Sequence, residues 1–214
     1  MNLSVALGKL WLQWVGSAAL LVGMKQRARE AYEQIVALDP SDVTARATVG
    51  NMAMESGDRE GAKEVFRKLL EIAPDDADAW FNLGFIHDQC DELAAAEQAF
   101  RRAVELNANQ DRAWYGLGLV LIRQERLGEA LEPLRRNIKL QPFSPYGYYQ
   151  LAMTLHHLGE SGDAWRTYEQ LKNFEPRYAA TLKRDIEQTR SRAAGTELSV
   201  NTNHPSTEAL PATT

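Results

Sequence analysis

His87 with Cys90, and His156 with His157, are the only pairs in the chain whose types and spacing suit a metal ion, and hence metal-assisted hydrolysis. Neither pair carries that chemistry far. Adjacent histidines on a helix point about 100° apart, and His87 falls in a column that faces the core. The sequence contains no H-E-x-x-H to set two imidazoles on one helical face, no G-x-x-x-x-G-K-[ST] to cradle phosphates and no G-x-S-x-G to present a nucleophile. The expectation is therefore no catalytic residue, no metal, no cofactor and no enzyme. Cys90 is the single cysteine, so no internal disulfide can form. It reads as a small buried hydrophobe near a helix end, which fits a reducing cytoplasm.

The elements that must position any site follow one ruler. Pro40 and Pro74 are 34 residues apart, Pro142 follows after twice that step, and Pro176 after one more. Gly16, Gly50, Gly84, Gly118 and Ala152 keep the same 34-residue step, as do Ala28, Ala62, Ala96, Ala130 and Ala164. A third series is Tyr32, Phe66, Phe100, Leu134 and Tyr168. Within one period, Trp80, Leu83, Gly84 and His87 have helical spacing, as do Ala96, Phe100 and Ala103, with a polar break at Asp91 and Glu92. Two short antiparallel helices follow. The small residues belong where helices cross about 8–10 Å apart, the aromatic fills the space beside them, and proline closes the second helix because it lacks a donor.

These residues resemble the tetratricopeptide repeat family, with its large residue, Leu-Gly, later Ala, aromatic and closing Pro; Trp80, Leu83, Gly84, Ala96, Phe100 and Ala103 show it best. The resemblance implies an all-α fold, a right-handed α-solenoid of five helix pairs plus a C-terminal capping helix. The expected boundaries are a lead-in at 1–8, repeats at 9–42, 43–76, 77–110, 111–144 and 145–178, a cap at 179–194 and a disordered Thr/Ser/Pro tail at 195–214. Stacking on neighbours gives one continuous core. Three departures are expected to loosen packing locally: Arg46 in place of a bulky apolar residue, Ala108 in place of the closing proline, and Asn137 at an apolar position.

In that family the first helices of the pairs line a concave surface that holds an extended peptide or a partner helix. The matched positions here are Asn51, Met54, Phe81, Asn82, Phe85, Arg112, Tyr115, Leu119, Ile122, Tyr149, Met153 and His156. The middle of this surface is apolar and aromatic, as binding surfaces tend to be. The alternative is that the C-terminal helix or tail covers it. Asn51, Asn82 and Arg112 also match three positions of a carboxylate clamp, but Ala47 and Gly116 stand where its basic residues belong, so apolar peptide or helix binding is the favoured mode.

Net charge is −5 over 214 residues, unevenly spread. Residues 1–29 hold Lys9, Lys25, Arg27 and Arg29 and no acid, whereas residues 30–178 hold 16 basic and 25 acidic side chains. Acids gather around Glu71, Asp75, Asp76, Asp78, Asp88, Asp91 and Glu92, reading as a solvated face. Nucleic acid is not an expected partner of that body. The uncharged run 10–24, with Trp11, Trp14, Leu20, Leu21 and Val22, is too apolar for the outer face of a terminal repeat. It is shorter than a typical span of about 20 residues, and a cleaved leader would remove Val15 and Gly16 from the first repeat. Its Trp11 and Trp14 are the expected docking residues, toward a protein partner, a second copy of the chain or a membrane.

The sequence thus points to a non-catalytic protein-binding adaptor or assembly factor in the cytoplasm, holding a peptide or helix in an aromatic groove. The alternative is a membrane-associated scaffold recruited through residues 10–24.

Overall fold

A computed structural model describes the chain over residues 3–201, with side chains over 4–191. Among these residues the fold is all-α: eleven helices and no strand. They are α1 (Leu3–Leu21), α2 (Lys25–Leu38), α3 (Val43–Glu55), α4 (Arg59–Ile72), α5 (Ala77–Gln89), α6 (Leu93–Leu106), α7 (Asp111–Arg123), α8 (Leu127–Leu140), α9 (Pro145–His157), α10 (Ser161–Phe174) and α11 (Pro176–Asn201). Helices α1–α8 form one compact unit ending at Pro142, and α9–α11 form a second beginning at Phe143.

In the first unit each odd-numbered helix packs on the next, and α2, α4 and α6 pack in turn on α3, α5 and α7. The glycine and aromatic columns of the sequence meet in space. A Cβ added at Gly16, Gly50 or Gly118 would lie 2.8 Å from Tyr32, Phe66 or Leu134 respectively, and one at Gly84 would lie 2.9 Å from Phe100. Only glycine leaves room for the facing side chain at these crossings. The fully buried layer is Ala28, Ile35, Ala62, Phe66, Leu69, Ala96, Ala113, Leu117 and Leu134, a continuous apolar stack built from neighbouring pairs.

Turn and cap chemistry repeats with the period. Asp42, Asp58 and Asp76 accept from the backbone amides of Ala45, Gly61 and Ala79, capping α3, α4 and α5. The turn inside each pair takes a left-handed residue, Gly23, Gly57 and Gly159 in three pairs but Asp91 and Glu125 in the other two.

The three sequence departures do not loosen the packing in the way expected. Trp80 and Trp114 donate their indole N–H to the carbonyls of Pro74 and Ala108 at 2.8 and 2.9 Å, and Arg46, in the same column, donates a guanidinium N–H to Pro40 at 2.7 Å. Arg46 thus reproduces the tryptophan's bond, while its Nε is buried without a partner. Ala108 supplies the accepting carbonyl without being proline. Asn137 is buried, but its side-chain amide donates to the carbonyl of Asp111 at 3.0 Å, so the polar group is satisfied.

Ion pairs tie each second helix to the next at a spacing of 29 residues. Arg29 reaches Asp58 at 3.7 Å, Lys63 reaches Glu92 at 2.8 Å, and Glu97 reaches Arg126 at 2.6 Å with the charges exchanged. Lys63 is only 4% exposed. It is held also by Glu60 at 2.7 Å, and the two carboxylates raise its pKa against the effect of burial.

In the second unit α9, α10 and α11 pack mutually, with Leu151, Leu155, Leu171, Ala179, Leu182 and Ile186 buried between them. Tyr148 meets Phe174 edge-on at 5.2 Å. Two boundaries differ from expectation. Residues 3–8, read as a lead-in, are helical, since they hold no proline and the lone Gly8 does not stop a helix. Helix α11 passes through Gly195 to Asn201, because glycine inside a helix costs about 1 kcal/mol but does not stop it. The remainder of the expected tail, 202–214, lies outside the described residues.

Candidate functional site

The first helices α3, α5 and α7 present one face of the first unit. A cavity of about 640 Å³ opens there, lined by Asn51, Met54, Glu55, Asp78, Phe81, Asn82, Phe85 and Arg112. Asn51, Met54 and Glu55 come from the C-terminal half of α3, Asp78 to Phe85 from α5, and Arg112 from the first turn of α7. Helical spacing explains the set: Phe81, Asn82 and Phe85 lie three and four residues apart on one side of α5, beside the Gly84 position that packs on Phe100 of α6.

The floor is aromatic. Phe81 lies 6.5 Å from Phe85 and 5.9 Å from the buried Phe100, centroid to centroid, so its ring is anchored from the core. The Arg112 guanidinium stands 4.8 Å above the Phe81 ring, in cation–π range. The amide of Asn82 donates to the side-chain oxygen of Asn51 at 3.2 Å, which engages one donor and one acceptor of the pair. Glu55 and Asp78 put two carboxylates on the rim. Glu55 pairs with Lys25 at 2.8 Å, and Asp78 accepts from Gln110 at 2.7 Å. An apolar side chain with a backbone to hydrogen-bond suits these surroundings.

Six expected residues, Asn51, Met54, Phe81, Asn82, Phe85 and Arg112, are brought together here. Tyr115, Leu119 and Ile122 are half-buried along α7 and do not line this cavity. Sequence reasoning missed Glu55 and Asp78, although Asp78 stands 34 residues before Arg112 and so shares its column.

In the second unit Tyr149 is not an open anchor. Its hydroxyl donates to Asp185 at 2.7 Å and its ring meets Tyr178 at 6.4 Å, both on α11, and burial together with that carboxylate pushes its pKa up to about 12. The capping helix therefore takes this position, the alternative weighed from sequence. Met153 and His156 are half-buried on the same helix. Burial lowers the His156 pKa, assisted by the charges of His157 and Arg190. The rings of His156 and His157 lie 5.9 Å apart.

Cys90 packs against the core cluster of Phe66, Leu70 and Ile86 at the end of α5. Ligand atoms of Glu60, Cys90 and Glu92 lie within 4.8 Å of one another. The Lys63 ammonium lies between the two carboxylates, and the buried His87 ring bonds Glu92 through Nδ1, so both acids are engaged in a polar network. Other acids of the charged stretch are likewise paired: Asp75 with Arg102 at 3.1 Å, and both Asp88 and Asp91 with Arg123.

At the other edge, Trp11 and Trp14 on α1 are exposed by 63% and 71%. Among the described residues no helix is long and apolar enough to cross a membrane.

Comparison with known proteins bears on the fold. The family model described as tetratricopeptide repeat matches residues 20–83 and 53–120. A crystal structure of MamA aligns with a TM-score of 0.73 at 24% identity, covering 81% of this chain and 94% of that one. A second MamA structure aligns at 0.72 and 25% identity, over 78% and 97%. YrrB, a TPR protein with an unusual peptide-binding site, aligns at 0.69 and 24% identity, over 79% and 88%. No curated protein matches the chain in sequence.

Proposed function

The chain belongs to the tetratricopeptide repeat family, and on that premise we propose that it is a non-catalytic adaptor that holds a segment of a partner protein against α3, α5 and α7 of its first unit. The observation that carries this is the cavity itself, an aromatic floor of Phe81 and Phe85 beside the Asn51–Asn82 amide pair. Such a surface offers one apolar side chain a pocket and its neighbouring peptide groups hydrogen bonds. Arg112 and the carboxylates of Glu55 and Asp78 give the rim both signs of charge, which selects among apolar segments. The peptide-binding site of YrrB, a similar fold, supports a peptide as ligand. Cytoplasmic location is part of the proposal, supported by the single cysteine and by packing that needs no disulfide.

The test is affinity purification of the tagged chain from its own cells beside a Phe85→Asp, Asn82→Ala variant, with circular dichroism showing both to be equally helical. Phe85 is exposed, so the change leaves the core intact. Partners retained by the wild type and lost by the variant support the groove. An unchanged partner set on a folded variant sinks it.

A second reading has one observation in its favour. Within residues 10–24, Trp11, Trp14, Leu21 and Val22 stay exposed, and a membrane-associated scaffold would use that apolar edge.

A further inference from the structure

We propose that the outward face of α1, with the turn that follows it, is a lipid-docking surface that lies in the plane of an anionic membrane rather than crossing it. The inference rests on the membrane reading of residues 10–24 and is independent of the groove. Leu7, Trp11, Trp14 and Leu21 recur at four-, three- and seven-residue steps, which places them on one stripe of α1. All four are exposed, and Leu10 flanks them. The opposite stripe, Leu12, Gly16 and Ala19, is buried against α2. The apolar surface continues into the turn through Val22 and Met24, with Leu21 89% exposed.

What covers this face is argued from the 34-residue columns. The position of Trp11 is Ala45, Ala79 and Ala113 in the following pairs, each at most 2% exposed where the preceding helix packs across it. A further helix pair stacked on α1 in the same register would have to meet an indole where the others meet a methyl group. A like repeat stacked in this register would therefore have to open a hole for the indole. A lipid interface needs no matching hole, and it is where the amphipathic indole is most at home.

Charge fits the same occupant. The described residues of α1 and its turn carry no carboxylate, and Lys9, their only charge, is drawn inward by Asp39 and Asp42 at 2.8 and 2.6 Å. At the apolar turn stand Arg27, exposed, and Lys25, whose side chain is 71% exposed beside Glu55. Positive charge bordering an apolar patch complements anionic headgroups. At 19 residues, with Lys9 within it, α1 does not meet the requirement for a span.

The experiment floats the full chain with vesicles of phosphatidylcholine alone and of phosphatidylcholine mixed with phosphatidylglycerol, and compares it with Trp11→Ala, Trp14→Thr. Those substitutions place on α1 the residue types that α3 carries at Ala45 and Thr48, so the helix is retained. Wild type should float with the anionic vesicles, and the variant should lose roughly tenfold or more in partitioning, since two large apolar side chains are withdrawn. Binding by wild type and variant alike would overturn the α1 assignment while leaving the membrane reading standing. No binding to either vesicle would overturn both. A dimer in light scattering that dissociates in the variant, without vesicle binding, would assign the face to a second copy and overturn the proposal. A Phe85→Asp control should float like wild type.

Discussion

The ring of Phe100 is enclosed by Gly84 of its own pair and by Gly116 of the next: a Cβ at Gly84 would stand 2.9 Å from Cδ1, and one at Gly116 2.7 Å from Cζ. The two glycines approach from α5 and α7, so the aromatic locks two consecutive pairs together with no slack on either side.

Gly116→Ala should therefore destabilise the first unit by about 1–3 kcal/mol, the usual result of overpacking a filled core, partly offset by about 1 kcal/mol of helix propensity. Gly128→Ala, where an added methyl meets nothing within 4 Å, should instead stabilise by up to about 1 kcal/mol. Thermal denaturation of the two variants beside wild type checks both signs; equal shifts would show that propensity, not ring enclosure, decides.

Glu125 holds φ 61°, in the left-handed region that Gly57 and Gly159 occupy in the same turn of other pairs. Glu125→Gly should raise stability by about 1 kcal/mol as the steric penalty is relieved. The midpoint of urea unfolding reads this, and a fall would mean that the Glu125 side chain makes a contact worth more than the strain.

Arg46→Trp should leave stability unchanged or higher, because the indole can donate to the Pro40 carbonyl as Trp80 and Trp114 do to theirs, and the orphaned Nε disappears. Arg46→Leu removes the donor and should cost about 1 kcal/mol. The ordering of the two midpoints is the measurement.

The Glu92 carboxyl is depressed to about 2 by hydrogen bonds from Lys63 and then His87, and Asp39 to about 2 by Lys9 and then Ser41. A depressed carboxylate contributes stability that is present above its unfolded pKa of about 4.3 for Glu and is lost as pH falls toward the folded value. The melting temperature of wild type should accordingly exceed that of Glu92→Gln at neutral pH, with the gap closing between about pH 4.5 and 2. A gap that persists to the acid end would place the benefit of Glu92 outside its charge.

Much of this fold is legible in the sequence because one geometric constraint acts at every repeat. Gly50 with Phe66 and Gly84 with Phe100 are the same contact copied, so the columns identify both partners before any coordinates are seen. Phe81, Asn82, Phe85 and Arg112 follow from the same register. Glu55 and Asp78 are harder to read, although Asp78 shares Arg112's column, since a surface carboxylate on a helix has the same appearance whether it rims a cavity or faces bulk water. The fate of Tyr149 lies further out of reach. Its partner Asp185 sits on α11 in the column of Leu83, Leu117 and Leu151, where the register leads to an apolar side chain, so column logic places the helix but not the bond.

The 29-residue ion pairs carry a consequence for how such a chain can change by recombination. Loss of one whole period, residues 77–110, would preserve every apolar column and bring α4 against α8. It would also set the buried Lys63 opposite Arg126, two cations where each now has a carboxylate. Lys63 would keep Glu60 and Arg126 would keep Glu129, but two cations brought together at a buried position are still costly. The reversal of sign along the ladder thus acts as a parity mark: internal copies that are interchangeable by shape are not interchangeable by charge, and the number and order of the repeats are written into the protein.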